Sequence, residues 1–290
     1  MNTNNGSNLF NYYNESPLTS HKWESYFDIY GELLNEYKNQ NVIFVEVGVH
    51  NGGSLFMWRE FFGKNSRIIG IDLNPKAKEL EKYGFEIFIG SQGDSNFWTD
   101  FYKEIGDIDI LLDDGSHNYY DQLLTLQNSI KNIRDNGLII VEDTHTSFIK
   151  KFGFKTTKTF TDFTLRILLN MHKKHPYTEI PKEKSIYDSI YKISTYESIT
   201  AFHVNKIYDK INKPTMNHGK GIGSTDFRNT DKLVGKLLAV IDNFQTYLYT
   251  KKRSLFIKIL LRLNSYLSKF IHWCHNLGNR KKINKFFNIK

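Results

Sequence analysis

The sequence is nearly without cysteine: Cys274 is the single one in 290 residues. One thiol excludes an internal disulfide framework and a thiolate zinc cluster. Proline is also scarce, five in all, and there is no internal repeat and no long low-complexity stretch. Met1 to Tyr13 has neither a basic segment nor an apolar run, so no signal peptide is expected and the chain is read as cytoplasmic. The last forty residues lack acid altogether: 251–290 hold eleven of the 39 Lys and Arg and none of the 31 Asp and Glu. The remainder then carries 28 basic against 31 acidic residues, so the net charge of +8 belongs to the tail. A body of that balance offers no cationic track for nucleic acid, and no nucleic-acid partner is expected.

What the sequence does contain is a folding body, with 40% hydrophobic and 15% aromatic residues, too apolar for a disordered chain. Residues 1–20 are Asn- and Ser-rich and read as a flexible arm. Trp23, Tyr26, Phe27, Tyr30, Leu33, Leu34 and Tyr37 recur at helical spacing over 21–39. Short apolar runs follow at 42–47, 67–72, 85–89, 108–112 and 138–141, separated by helical stretches at 53–62, 75–83, 95–105 and 119–134. Strands that alternate with helices of that length predict a parallel sheet with right-handed crossovers. Beyond Thr144 the regularity breaks. A helix is expected near 162–175, a lid and specificity region over about 146–225, a closing hairpin at 198–204 and 206–211, and a helix at 231–249. The main domain is thus placed at 21–250, with a tail at 251–290.

The first strand runs into Glu46-Val47-Gly48-Val49-His50-Asn51-Gly52-Gly53-Ser54. A strand, a glycine turn and a helix N-terminus form a pocket for the polar end of a nucleotide-like cofactor. The dinucleotide pattern Gly-x-Gly-x-x-Gly fails, because His50 stands where its second glycine belongs. The pattern present is Glu46-x-Gly48-x-x-x-Gly52-Gly53-Ser54, with Asp72 at the end of the second strand. In this it resembles the class I S-adenosylmethionine-dependent methyltransferases. The resemblance implies a Rossmann-like, doubly wound, mostly parallel seven-stranded α/β sheet. It implies cofactor contacts from Glu46, Gly48, Gly52, Ser54 and Asp72, from Ser91 and Gln92 at the adenine, and from Asp113 at the methionyl end. An acid near the turn suits the cationic ammonium and sulfonium, and Asp72 can accept both ribose hydroxyls.

Asp114, Glu142 and Asp143 follow the fourth and fifth strands, at the end of the sheet where ligands of open α/β folds bind. Three carboxylates gathered there repel unless a cation or proton relieves them. Oxygen donors without cysteine favour a hard divalent ion, Mg²⁺ first and Mn²⁺ second. His117, three residues past Asp114, is placed to take a hydroxyl proton. Taken singly, Glu142-Asp143 also suits a solvated pair opening a loop, and His117 a residue at a helix start. Lys22 and Tyr26 suit a closure over the cofactor or simple packing, and His145 suits a substrate contact or an exposed loop.

Asp113-Asp114-Gly115-Ser116-His117 and Val141-Glu142-Asp143-Thr144-His145-Thr146-Ser147, with Gly52-Gly53-Ser54-Leu55-x-x-Trp58 and Lys22-Trp23-x-x-Tyr26, resemble metal-dependent sugar O-methyltransferases. That group modifies macrolide-linked sugars and sugars of capsular and other surface polysaccharides. The resemblance implies metal ligation by Asp114, Glu142 and Asp143, and His117 as catalytic base beside Asp114. It implies a sugar or nucleotide-sugar substrate, with surface-polysaccharide synthesis as the expected setting and antibiotic-type acceptors as the alternative. Ser91-Gln92-Gly93-Asp94 departs from the usual order of acidic and amide residues there. An iron oxygenase would need two histidines and one carboxylate; His117 and His145 could serve, but three carboxylates fit it poorly. A non-catalytic module would have no use for Asp114, His117 and Glu142.

In the tail, Phe256, Ile259, Leu260, Leu263, Leu267, Phe270, Ile271 and Cys274 share one helical face, with Lys258, Arg262, Ser265 and Lys269 opposite. Such charge density excludes a transmembrane span. The tail is expected either to pack on the body or a sister subunit of a homo-oligomer, or to contact an anionic membrane surface peripherally, at the inner membrane face.

Overall fold

The computed structural model describes residues 4–153, 158–175, 184–206, 233–251 and 255–287, with isolated positions at 178, 215, 217 and 218. It resolves into two compact units, Met1–Pro214 and Thr215–Lys290. The larger unit is built on seven strands: β1 (Ile43–Val47), β2 (Arg67–Asp72), β3 (Glu86–Ile89), β4 (Ile108–Asp113), β5 (Ile133–Val141), β6 (Ile190–Thr195) and β7 (Thr200–Val204). Their order is β3-β2-β1-β4-β5-β7-β6. The first five are parallel, and β7 runs antiparallel between β5 and β6.

The strands are apolar because both faces of the sheet are covered. On one face Phe44, Ile68, Ile110, Leu112 and Ile140 meet α1 (Asn4–Asn14), α2 (Glu24–Leu33) and α3 (Gly53–Phe62) through Leu9, Tyr30, Leu55, Trp58 and Phe61. On the other, Val45, Ile69, Leu111, Ile139 and Phe202 meet α4 (Ser95–Ile105), α5 (Tyr119–Ser129) and α6 (Phe160–Lys173) through Trp98, Phe101, Leu126, Phe160 and Ile167. Alternate residues of one strand thus serve opposite cores.

Register sets the site. Val47 pairs with Asp113, and Asp113 with Val141, so β1, β4 and β5 end level. The ladder continues one bond further, with Asp114 N–H donating to the Val47 carbonyl at 3.0 Å and Glu142 N–H to that of Asp113 at 2.9 Å. Glu46-Val47-Gly48, Asp113-Asp114 and Glu142-Asp143 are therefore held edge to edge. Gly48 is required by this closeness: its φ is +85°, and a Cβ there would lie 2.3 Å from the Asp114 carbonyl oxygen.

Four expectations change. Residues 4–14 form α1, with Leu9 fully buried and Phe10 and Tyr13 edge-on to Phe27, instead of a flexible arm. The fifth strand begins at Ile133, where a helix was expected to 134, because α5 gives way to a tight turn at Ile130–Asn132. The closing hairpin is β6–β7, one strand earlier than expected. Positions 207–211 of the expected second strand lie outside the described residues, as does much of 146–225. The helix at 233–249 groups with the tail, so the division falls near 214 and not at 250.

Candidate active site

A cavity of about 660 Å³ opens at the C-terminal ends of β1, β2, β4 and β5. Of the residues singled out in the sequence, Gly48, Ser54, Asp72, Ser91, Gln92, Asp114, His117 and Asp143 line it. The Asp72 carboxylate accepts the N–H groups of Val49 and His50, both at 3.1 Å, and that of Asn74 at 2.8 Å. It thereby fixes the glycine turn against the end of β2. Gln92 accepts from Ser116 N–H at 2.7 Å and donates to Asp113, which ties the loop after β3 to the loop after β4. Asp113 itself is 2% exposed and stands behind the wall; burial raises its carboxyl to about 6.

At the far side of the cavity Asp114, His117 and Asp143 converge, each offering one ligand atom within 4.8 Å of the others. His117 Nε2 lies 3.4 Å from Asp143 Oδ2 and 4.0 Å from Asp114 Oδ1. Three non-glycine residues of the cavity wall hold left-handed backbone, His50 (φ +50°), His117 (φ +58°) and Asp143 (φ +52°). Such strain is retained where the surroundings over-determine it, and it clusters at functional sites. The His117 Nδ1 atom is buried and has no hydrogen-bond partner among the described residues.

Behind this face lies a second layer. Lys22 Nζ, its side chain 1% exposed, donates to Asp114 Oδ2 at 2.6 Å, to both oxygens of Glu142 at 3.1 Å and to Glu46 Oε1 at 3.3 Å. Tyr30 donates to Glu142, Ser54 to Glu46 at 2.7 Å, and Tyr26 to Asp143 Oδ1 at 2.5 Å. His145 Nδ1 and the Tyr26 hydroxyl both meet Ser198 Oγ, at 2.6 and 2.8 Å. Burial raises the Glu46 and Glu142 carboxyls, and Glu142 further feels the charge of Asp114. The carboxylates therefore divide by atom: Asp114 Oδ2 and Asp143 Oδ1 face inward to Lys22 and Tyr26, leaving Oδ1 and Oδ2 for the cavity.

This alters the expected donor set. Glu142, expected as a metal ligand, has both oxygens taken by Lys22 and Tyr30 and is 1% exposed, and Glu46 is equally enclosed. Glu46, Gly52 and Asp113 are likewise not among the residues lining the cavity. Two contributors escaped sequence reasoning, Tyr30 and Ser198. The signal for Tyr30 was its spacing four residues after Tyr26, which puts both phenols on one side of α2; Ser198 carried none.

The strand order, the glycine turn at Gly48 and the acid closing β2 define a class I methyltransferase fold. Residues 45–144 match the family described as a methyltransferase domain. The fold is shared with the MycE methyltransferase of the mycinamycin pathway, solved in complex with Mg, SAH and mycinamycin VI: TM-score 0.61, 23% identity, 73% of this chain and 56% of that one. Among relatives, demethylmacrocin O-methyltransferase of Streptomyces fradiae is 28% identical over 162 residues, 53% of this chain and 40% of the relative. Mycinamicin VI 2''-O-methyltransferase of Micromonospora griseorubida is 30% identical over 131 residues, 43% of this chain and 32% of the relative. The chain spans less than half the length of these relatives.

Proposed function

We propose that this chain transfers the methyl group of S-adenosylmethionine to a sugar hydroxyl, with a divalent ion at Asp114 and Asp143 and His117 as the base. The observation that carries the reading is the convergence of Asp114, His117 and Asp143 in the same cavity as Gly48, Asp72 and Gln92. The donor chemistry fits a hard ion, since the two outward carboxylate oxygens of Asp114 and Asp143 suit Mg²⁺ or Mn²⁺, which leaves His117 free of the ion to act as base. A bound ion would supply Lewis acidity that lowers the pKa of an acceptor hydroxyl.

The chain's own residues do the rest. The Gly48 turn admits the cofactor's amino acid end, and Asp72 offers its remaining lone pairs to the ribose hydroxyls. Lys22 and Tyr26 hold the inward oxygens of Asp114 and Asp143, so that the outward ones keep a fixed direction. His117 takes the acceptor proton at Nε2. Bound S-adenosylmethionine would supply a methyl carbon open to this deprotonated oxygen, the carbon–sulfur bond breaking with its electron pair left on sulfur.

For the acceptor, the relatives favour a sugar on a glycosylated antibiotic-type molecule over the surface polysaccharide expected from sequence, because they are named for O-methylation of demethylmacrocin, a rhamnosyl-tetracenomycin and mycinamicin VI. The test is methyl transfer to a panel of glycosylated macrolides and nucleotide-linked deoxysugars, read by mass spectrometry. The reading expects a methyl ether on a sugar oxygen. Methylation of nitrogen, or of an aglycone alone, would refute it.

A further inference from the structure

The unit from Thr215 to Lys290 has no part in the proposed chemistry, yet its surface is unusual. Helices α7 (Leu233–Tyr249) and α8 (Leu255–Phe286) pair closely, with Ile241 and Leu248 buried and Asn264 Nδ2 donating to the Ile241 carbonyl at 3.0 Å. That pairing uses only one stripe of each helix. On α8, Phe256, Ile259, Leu263, Phe270 and Trp273 remain 46–66% exposed. Their spacing of three, four and seven residues places them on one face. On α7, Leu237, Val240 and Phe244 do the same, at 43–67%. A groove of about 280 Å³ is lined jointly by Val240 and Phe244 of α7 and by Leu263 and Leu267 of α8. The two exposed apolar faces are therefore one continuous surface.

We infer that this surface docks the chain on an anionic lipid bilayer, lying in the plane of the interface. No helix among the described residues is long and apolar enough to cross a membrane, so immersion of one face is the mode left for a bilayer. The charge selects the occupant. Pairing with α7 takes up the stripe of α8 at Leu260 and Asn264. Lys258, Arg262 and Lys269, all exposed and on the side away from that stripe, therefore border the part of the apolar face that stays exposed, and 251–290 contains eleven basic residues and no acid. A second copy seated on this face would bring two such segments together with no carboxylate on either α8 to answer them. An anionic surface supplies that countercharge. Trp273 and Tyr266, 58% and 71% exposed, are the side chains that favour the boundary between headgroup and hydrocarbon.

The test is co-sedimentation of the full chain with vesicles of equal parts phosphatidylglycerol and phosphatidylcholine, and with phosphatidylcholine alone. Binding is expected on the first and about tenfold weaker on the second. Leu263→Glu with Phe270→Glu is expected to lower binding by about tenfold or more, while Thr246→Glu, on another exposed face of α7, leaves it unchanged. Far-UV circular dichroism checks that the helices persist. Neutralising Lys258, Arg262 and Lys269 to Gln is expected to cost about fivefold per charge. The inference is overturned if the full chain ignores anionic vesicles or if the Glu pair binds as the native does. It is equally overturned if light scattering shows a native dimer that the Glu pair dissolves without any vesicle binding.

Discussion

Lys22→Met is the perturbation that probes the site most deeply. Its ammonium is the one cation within hydrogen-bond reach of Glu46, Asp114 and Glu142 among the described residues, and its side chain is 1% exposed. Methionine keeps the length and apolar stem and removes the charge. Breaking a buried ion pair from one side costs about 3–5 kcal/mol, because the abandoned charge stays buried. For a unit of this size that lowers the melting temperature by about 6–20 °C. The pH dependence follows from the partners. Burial already raises the Glu46 and Glu142 carboxyls, so their contribution to stability is complete below the unfolded value of about 4.3 and is lost as pH rises through the folded value. Removing Lys22 raises both further, so the deficit of the variant grows toward alkaline pH and shrinks on acidification. Differential scanning calorimetry from about pH 5 to about pH 8 reads both effects. A variant melting within about 2 °C of the native chain, less than about 1 kcal/mol, with no pH trend in the difference, would refute the role of Lys22 as internal counter-ion.

The division of carboxylates by atom separates two variants that sequence alone would treat alike. In calorimetric titration with Mn²⁺, Asp143→Asn is expected to lose about tenfold or more in affinity, while Glu142→Gln stays within about threefold; equal losses would return Glu142 to the metal. His117→Ala is expected to lower turnover by about a hundredfold to ten-thousandfold with cofactor affinity retained, as measured by kinetics and calorimetry. His203 tests the β6–β7 pairing: burial and the charge of Lys192 lower its imidazole to about 4, and Nε2 meets Ser194 Oγ at 2.9 Å. A depressed histidine contributes stability above its unfolded value of 6.5 that is lost as pH falls to about 4. His203→Gln should flatten that part of the stability profile, and an unchanged slope in chemical denaturation would contradict the assignment.

Much of the fold was legible because each early strand is apolar on both faces and is closed by Gly, Asp or Asn. β1 to β4 lie within a residue or so of their expected bounds, and only the start of β5 moved. α1 was not legible, since an Asn-rich segment has little helical propensity of its own and is held by Leu9, Phe10 and Tyr13 against α2. The β6–β7 register escaped because Ile190, Ile193, Phe202 and Val204 gain their meaning only against β5 and α6. At the site, Asp114, His117 and Asp143 could be read from their motifs. The assignment of Glu142 to Lys22 could not, because it depends on the segment before α2 crossing over the ends of β1, β4 and β5. Sequence spacing carries no trace of such a meeting.

The central claim is metal-assisted methyl transfer through Asp114. The most direct measurement is the rate of methyl transfer to a glycoside acceptor before and after EDTA, with S-adenosylmethionine binding followed by calorimetry in the same samples and in Asp114→Ala. The account predicts that chelation and Asp114→Ala each abolish transfer while cofactor binding survives, and that added Mg²⁺ restores the native rate only. Full transfer in EDTA, or in Asp114→Ala, would contradict it.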